Sequence, residues 1–177
     1  MLRIGRMNPV HRDHVRAILT ATGAFSTDEI SVALELFDLA MTSSDGTATR
    51  GADDALDDYE FVGAFDGDSL LGFACFGPTP STDGTYDLYW LAVDPAAQGR
   101  GVGRAIGDWV ATELASRGAR LLLAETSSRT EYESARAFYS RNGYTEVARV
   151  RDFYAPGDDR ILLTTRLTAQ ERGAATQ

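Results

Sequence analysis

A mixed α/β (α+β) fold, with one mostly antiparallel central sheet flanked by helices, is what this chain predicts. Three observations carry the prediction. Short apolar runs with turn punctuation fill residues 59–93, as an antiparallel meander requires. A glycine-rich turn over 98–103 passes at once into helical periodicity over 102–117. After that helix comes the run 120–126, too apolar for a sheet edge, and the helical connection sets it parallel to the strand over 85–93. The chain has 177 residues, 44% of them hydrophobic, with 8 Phe, 7 Tyr and 2 Trp for bulk. It can therefore bury a core as a single domain over 1–168, leaving 169–177 as a frayed tail.

Taken in order, residues 2–7 read as a first strand. Asn8-Pro9 then opens a helix over 10–20, with Asn8 as its cap and Pro9 in the first turn. Ser26 and Glu29 have capping-box spacing ahead of a second helix, whose Ile30, Ala33, Leu34, Phe37 and Met41 form one apolar face. The polar stretch 42–58 reads as a loop. Strands over 59–65 and 69–77 flank Asp66-Gly67, a hairpin signal, and a polar connection over 78–84 leads into 85–93. The helix after the glycine turn should bury Ala105, Ile106, Trp109, Val110 and Leu114 and stop at Gly118. A helix over 132–142 and a hairpin of 145–153 with 160–167, turning at Pro156-Gly-Asp-Asp159, complete the sheet.

The net charge is −9, and all 17 cationic side chains are arginine. So acidic a chain argues against a nucleic-acid partner, which needs a basic face, and suits a cationic one. No run of about 18 apolar residues is present, and Arg3, Arg6 and Asn8 interrupt the early apolar stretch. Neither membrane contact nor a signal segment is expected, and the expected location is cytoplasmic. Cys75, the single cysteine, lies in an apolar strand, which predicts a buried and inert thiol. His11 and His14 lie three apart, but no Cys, Asp or Glu cluster completes a site, so no metal is expected.

The glycine-rich turn is the densest signal. Gly99, Gly101 and Gly103 let the main chain approach an anion, and the helix start adds the positive end of its dipole. The phosphate loop of nucleotide hydrolases needs Gly-Lys-Ser/Thr, which a lysine-free chain cannot supply. A dinucleotide fingerprint needs another glycine spacing and an early place in the chain. A strand-to-helix connection without a ligand is the remaining structural reading.

At these residues the chain resembles the GNAT superfamily of N-acetyltransferases, whose signature Gln/Arg-x-x-Gly-x-Gly/Ala is met by Gln98, Gly101 and Gly103. A second block, running from Ala135 through Phe138-Tyr139 to Gly143-Tyr144, is similar to the family's other characteristic segment, a short helix closing on Gly-Tyr/Phe before a strand. The resemblance implies the GNAT acyl-CoA N-acyltransferase fold and acetyl-coenzyme A (acetyl-CoA) as co-substrate. It places Gln98, Gly99, Arg100, Gly101, Val102, Gly103 and Arg104 around the pyrophosphate. Leu91, Ala92 and Val93 would follow the pantetheine arm, and Ser128, Phe138 and Tyr139 would complete the donor site.

Amide formation needs two proton transfers. An amine with pKa near 10 is about 99.9% protonated at pH 7, so a carboxylate must take a proton, and the departing thiolate needs a neutral donor. The resemblance assigns Tyr139 to the donor role, with helix-to-sheet packing of its ring as the structural alternative. For the base it offers Glu125, similar to the carboxylate of ribosomal-protein N-terminal acetyltransferases, and Asp87, eleven residues before Gln98, similar in offset to the base of the histone-acetyltransferase branch. Structural roles stay open for both, Glu125 capping a turn and Asp87 as a solvated strand start. Strict alternation puts Tyr89 and Trp90 on opposite faces, so only one of them can face a substrate. Tyr89 is an expected acceptor contact. The resemblance adds Phe153 and Tyr154, beside Asp152, as similar to the loop that covers the acceptor in N-terminal acetyltransferases, with a plain acidic turn over Pro156-Gly-Asp-Asp159 as the structural alternative. The expected acceptor is the primary amine of a small molecule or of a peptide or protein N-terminus, attacked directly in a ternary complex, and a homodimer is the expected assembly. A non-catalytic acyl-CoA sensor and an enzyme using a longer acyl group are the alternatives.

Overall fold

A computed structural model of the chain describes residues 1–43 and 59–167. Seven strands form one sheet in the order β1-β2-β3-β4-β5-β7-β6. They are β1 (Leu2–Arg6), β2 (Glu60–Asp66), β3 (Ser69–Pro78), β4 (Thr85–Val93), β5 (Leu121–Ser127), β6 (Thr145–Ala155) and β7 (Asp158–Arg166). Every pairing is antiparallel except β4 with β5, the pair joined through a helix. That helix is α3 (Val102–Ser116); the others are α1 (Arg12–Thr22), α2 (Thr27–Ser43) and α4 (Glu133–Arg141).

Local chemistry explains where the helices begin and end. Asn8 accepts from the Val10 amide at 3.2 Å while the Asn8 amide donates to Nδ1 of His11 at 3.0 Å, a reciprocal cap that leads through a short 3₁₀ turn into α1. His11 thus has a structural task, and its ring also lies 5.1 Å from that of Phe65. Gly23, with φ of 65°, ends α1 in the left-handed region. The expected capping box is present ahead of α2: the Ser26 amide reaches Glu29 at 2.7 Å, and the Glu29 amide reaches the Ser26 hydroxyl at 3.2 Å. Helix α2 takes in Thr42 and Ser43; the rest of the expected loop over 42–58 and the expected tail over 169–177 lie outside the described residues.

Each face of the sheet buries its own apolar cluster. Phe61, Phe65, Phe73 and Cys75 point to α1 and α2, where Val15, Leu19 and Phe37 meet them. Val62, Ala74, Phe76, Leu122 and Ile161 point the other way, under Ile106, Val110 and Leu114 of α3 and Tyr139 of α4. Burial on both faces is why these central strands read as continuous apolar runs. Two helix expectations need correction, since Ala105 and Trp109 are only half-buried, Trp109 packing at the rim of the second cluster. The thiol of Cys75 is fully buried, and burial raises its pKa well above the ordinary value.

One irregularity shapes the rest. Leu88 opposes Phe76 and Trp90 opposes Cys75, so Tyr89 is an extra residue on β4, a β-bulge. Leu88 therefore packs with the α3 cluster and Trp90 with the α1/α2 cluster. The ring of Tyr89 lies 5.1 Å from Tyr59, which packs against the same cluster as Trp90. The expectation that Tyr89 and Trp90 face opposite ways is overturned, because the bulge breaks the two-residue alternation on which it rested.

Strand β3 approaches β4 closely at Gly72, where a Cβ would stand 2.8 Å from the Ala92 carbonyl oxygen and 3.2 Å from Val93 Cα. Backbone on the receiving side cannot swing away. Gly72→Ala should therefore lower stability by about 1–3 kcal/mol, the usual range for overpacking. Urea unfolding checks this, and a midpoint equal to that of wild type would contradict the close approach.

Candidate active site

The bulge on β4 also ends its pairing with β5. The parallel ladder runs from Thr85 opposite Leu121 to Leu88 opposite Ala124 and goes no further. Beyond it β4 continues to Val93 with a partner on the β3 side only, so the backbone groups of its last residues on the other side face a groove. That groove has a volume of about 600 Å³, and its walls include Leu91, Ala92 and Val93 of β4, the 98–104 turn, and Ser134, Phe138, Tyr139 and Asn142 on or beside α4.

The turn at the head of the groove is built for an anion. Gly99 and Gly101 have φ of 74° and 79°, which side chains resist, and a Cβ at either would meet nothing within 4 Å. Gly101 is the N-cap of α3 and offers no side-chain oxygen to the first amides, nor is there an acidic residue in the first turn. Those N–H groups have no partner inside the helix and point outward with the positive dipole end. Gln98 ties the turn to the strand by donating to the Val93 carbonyl at 3.3 Å. Gly103 has a different reason from the one expected: a Cβ there would press on Phe138 at 3.3 Å and Val93 at 3.4 Å, so its bareness lets α3, α4 and β4 meet. The residues present thus fit a pyrophosphate followed by an extended arm along β4.

Tyr139 stands on the wall of this groove, 8% exposed, and burial pushes its phenol up to about 12. It keeps its proton at any physiological pH. Its ring is held by Phe138 at 5.5 Å and Tyr144 at 5.0 Å.

A second cavity, about 680 Å³, adjoins the first and shares Ala24, Phe25 and Tyr132 with it. Both candidate bases line it. Asp87 opposes Leu123, two residues before Glu125, so alternation brings the carboxylates to one face of neighbouring strands. Asp87 accepts the Thr79 hydroxyl at 2.6 Å. Glu125 is held on both oxygens: the Tyr154 phenol donates to Oε1, and Nη2 of Arg160 pairs with Oε2 at 2.5 Å. Burial and that bond to Glu125 raise the Tyr154 pKa. Tyr89 and Trp90 line the same cavity, as the bulge dictates.

The structure separates the remaining expectations. Phe153 is half exposed and lies outside the cavity lining, although the guanidinium of Arg160 rests 5.0 Å from its ring centre. Ser128 does not line the groove; its hydroxyl accepts the Asp159 amide at 2.8 Å and its amide donates back to the Asp159 carbonyl at 3.0 Å. Arg100 is exposed and is not among the residues that line the groove. Sequence reasoning missed Tyr132 and Arg160. Tyr132 donates to the Ala24 carbonyl at 3.0 Å and closes the cavity against Phe25. No local signal marks Arg160, because its partner comes from the pairing of β7 with β5. Among the described residues no group of three or more His, Cys, Asp or Glu could hold a metal ion.

Comparison with known proteins agrees with this geometry. A family model described as an acetyltransferase (GNAT) domain matches residues 57–146. A solved GNAT-family protein from Desulfovibrio desulfuricans is 38% identical, with a TM-score of 0.83 over 95% of this chain and 100% of that one. A mycothiol acetyltransferase from Beutenbergia cavernae is 40% identical over 83 residues, 47% of this chain and 27% of that protein. The N-alpha-acetyltransferase RimI of Mycobacterium tuberculosis is 35% identical over 99 residues, 53% of this chain and 57% of that protein. The chain therefore spans between about a quarter and three-fifths of the length of these two curated relatives. With both the family model and a full-length structural match in agreement, the chain belongs to the GNAT family of acetyltransferases.

Proposed function

We propose that the protein transfers the acetyl group of acetyl-CoA to the primary amine of a small molecule or of a peptide or protein N-terminus, by direct attack in a ternary complex. The observation that carries this reading is the adjacency of the two cavities: a groove headed by uncapped amides lies against a cleft with two carboxylates, with Ala24, Phe25 and Tyr132 lining both. The names of relatives support it, since mycothiol acetyltransferase and N-alpha-acetyltransferase both describe acetyl transfer. The net charge of −9 suits a cationic acceptor. The reaction belongs in the cytoplasm on this reading, and no described helix is long and apolar enough to cross a membrane.

The chemistry assigns each group one task. The ammonium of the acceptor enters between Asp87 and Glu125, and Glu125 takes its proton, directly or through a water, while Asp87 holds the cation. The freed nitrogen attacks the thioester carbonyl, a C–N bond forms, the C–S bond breaks, and the thiolate leaves with a proton from Tyr139. The second proton shed by the nitrogen restores the Tyr139 phenol, so that the one proton released overall is the one taken by Glu125. The amides at the start of α3 and along β4 fix the thioester in place beforehand, which is where much of the advantage over solution arises. Rigid placement matters here, and Tyr139 is packed between two aromatic rings.

Two outcomes follow for steady-state assays of free-thiol release. Tyr139→Phe should retain coenzyme affinity and lose about 10² to 10⁴ in turnover, the worth of a positioned proton transfer. Rates equal to wild type across neutral pH would remove Tyr139 from the donor role. Glu125→Gln should cost a similar factor of about 10² to 10⁴ in kcat, while Asp87→Asn should act mainly on the KM of the amine. The opposite pattern would exchange the two assignments.

A further inference from the structure

Two stretches far apart in the sequence meet where the cavities adjoin. Residues 23–26 join α1 to α2, and the 3₁₀ turn Thr130–Tyr132 leads into α4. The residues that line both cavities, Ala24, Phe25 and Tyr132, all come from these two stretches. Thr22 lines the groove alone, whereas Gly23, Ser26 and Glu29 line the second cavity alone. The connection between α1 and α2 is therefore a partition, with one side turned to each cavity.

This partition has few bonds of its own. Gly23 is the left-handed cap of α1, the Ala24 amide donates to the Thr22 hydroxyl at 3.4 Å, and the Ser26/Glu29 box fastens the far end to α2. From across the junction the Tyr132 phenol donates to the Ala24 carbonyl at 3.0 Å and stands 3.4 Å from Oε1 of Glu29. Its ring meets that of Phe25 edge-on, with 6.5 Å between centres. Among the described residues no other hydrogen bond ties residues 23–29 to the turn before α4. Burial and the charge of Glu29 raise the Tyr132 pKa, so the phenol keeps its proton and remains a donor. A weakly bonded segment gains order from whatever immobilises its anchor, and this anchor also lines the groove.

We propose that Tyr132 is a positioning residue that couples the two cavities: coenzyme A filling the groove immobilises Tyr132, and the bond to Ala24 passes that order to residues 23–29, the wall of the second cavity. The inference rests on the acetyl-transfer reading above for its ligand. It gives Tyr132 no part in the proton transfers.

Amide hydrogen exchange of wild type and Tyr132→Phe, each with and without saturating coenzyme A, tests this. The substitution removes the donor and keeps the ring against Phe25. In wild type the coenzyme should slow exchange within 23–29 as well as within 99–104. In the variant the gain within 99–104 should persist, while the gain within 23–29 should shrink by about 2- to 10-fold, the worth of a neutral hydrogen bond. Equal gains within 23–29 in the two proteins would overturn the inference, because direct contact of the ligand with Ala24 and Phe25 would then suffice. A wild-type protein protected within 99–104 alone would overturn it too. So would a variant that loses the gain within 99–104, since Tyr132 would then serve the fold or hold the coenzyme rather than link the cavities. No gain within 99–104 in either protein would overturn the coenzyme reading of the groove, and the inference with it.

Discussion

The parting of β4 from β5 after Leu88 and Ala124 is the constraint on which the rest of the structure depends. Backbone polar groups in a sheet interior are ordinarily paired, and leaving a run of them open is expensive unless a ligand completes it. The extra residue at Tyr89 makes the opening possible. It shifts the phase of β4, so that Leu88 stays in the α3 core while Trp90 turns to the opposite core. The strand leaves its parallel neighbour without losing hold of β3, to which it remains paired as far as Val93. Because only one short 3₁₀ turn, Pro95–Ala97, separates β4 from the glycine turn, the open strand edge and the uncapped start of α3 line the same groove.

The same parting sets the electrostatics of the second cavity. Glu125 lies one residue beyond the last paired position of β5, where the strand is still held by β7 but no longer covered by β4. The carboxylate thereby gains access to the cleft while staying anchored by Arg160 and Tyr154, which come from the β6–β7 hairpin. Asp87, on the other strand and just before the bulge, is drawn to the same cavity. The two carboxylates thus stand together at the seam of a divided sheet, where the proposed reaction would bring a cation to them.

Much of this was legible in the sequence. Strand and helix order follow from punctuation, since Asp66-Gly67, the Ser26/Glu29 box and Gly118 each mark a boundary the backbone respects. The groove itself was legible because it is local: residues of one segment, between Leu91 and Arg104, build most of one wall. What stayed hidden depends on pairings between distant segments. Strict alternation misplaced Tyr89 and Trp90 because nothing in the run itself announces a bulge. Arg160 carries no signal until β7 is laid beside β5, and Ser128, which does not line the groove, is bonded to Asp159 of the last hairpin. Gly103 matched the motif for a steric reason the motif does not display.

Amide hydrogen exchange with and without coenzyme A tests the central claim most directly. If the open edge of β4 and the uncapped start of α3 are completed by the coenzyme, amides within 89–93 and 99–104 should gain protection on binding, while those of the β1–β2 pairing should not change. Saturable binding that leaves both segments as they were would contradict the account, because the parted strands would then have some other purpose.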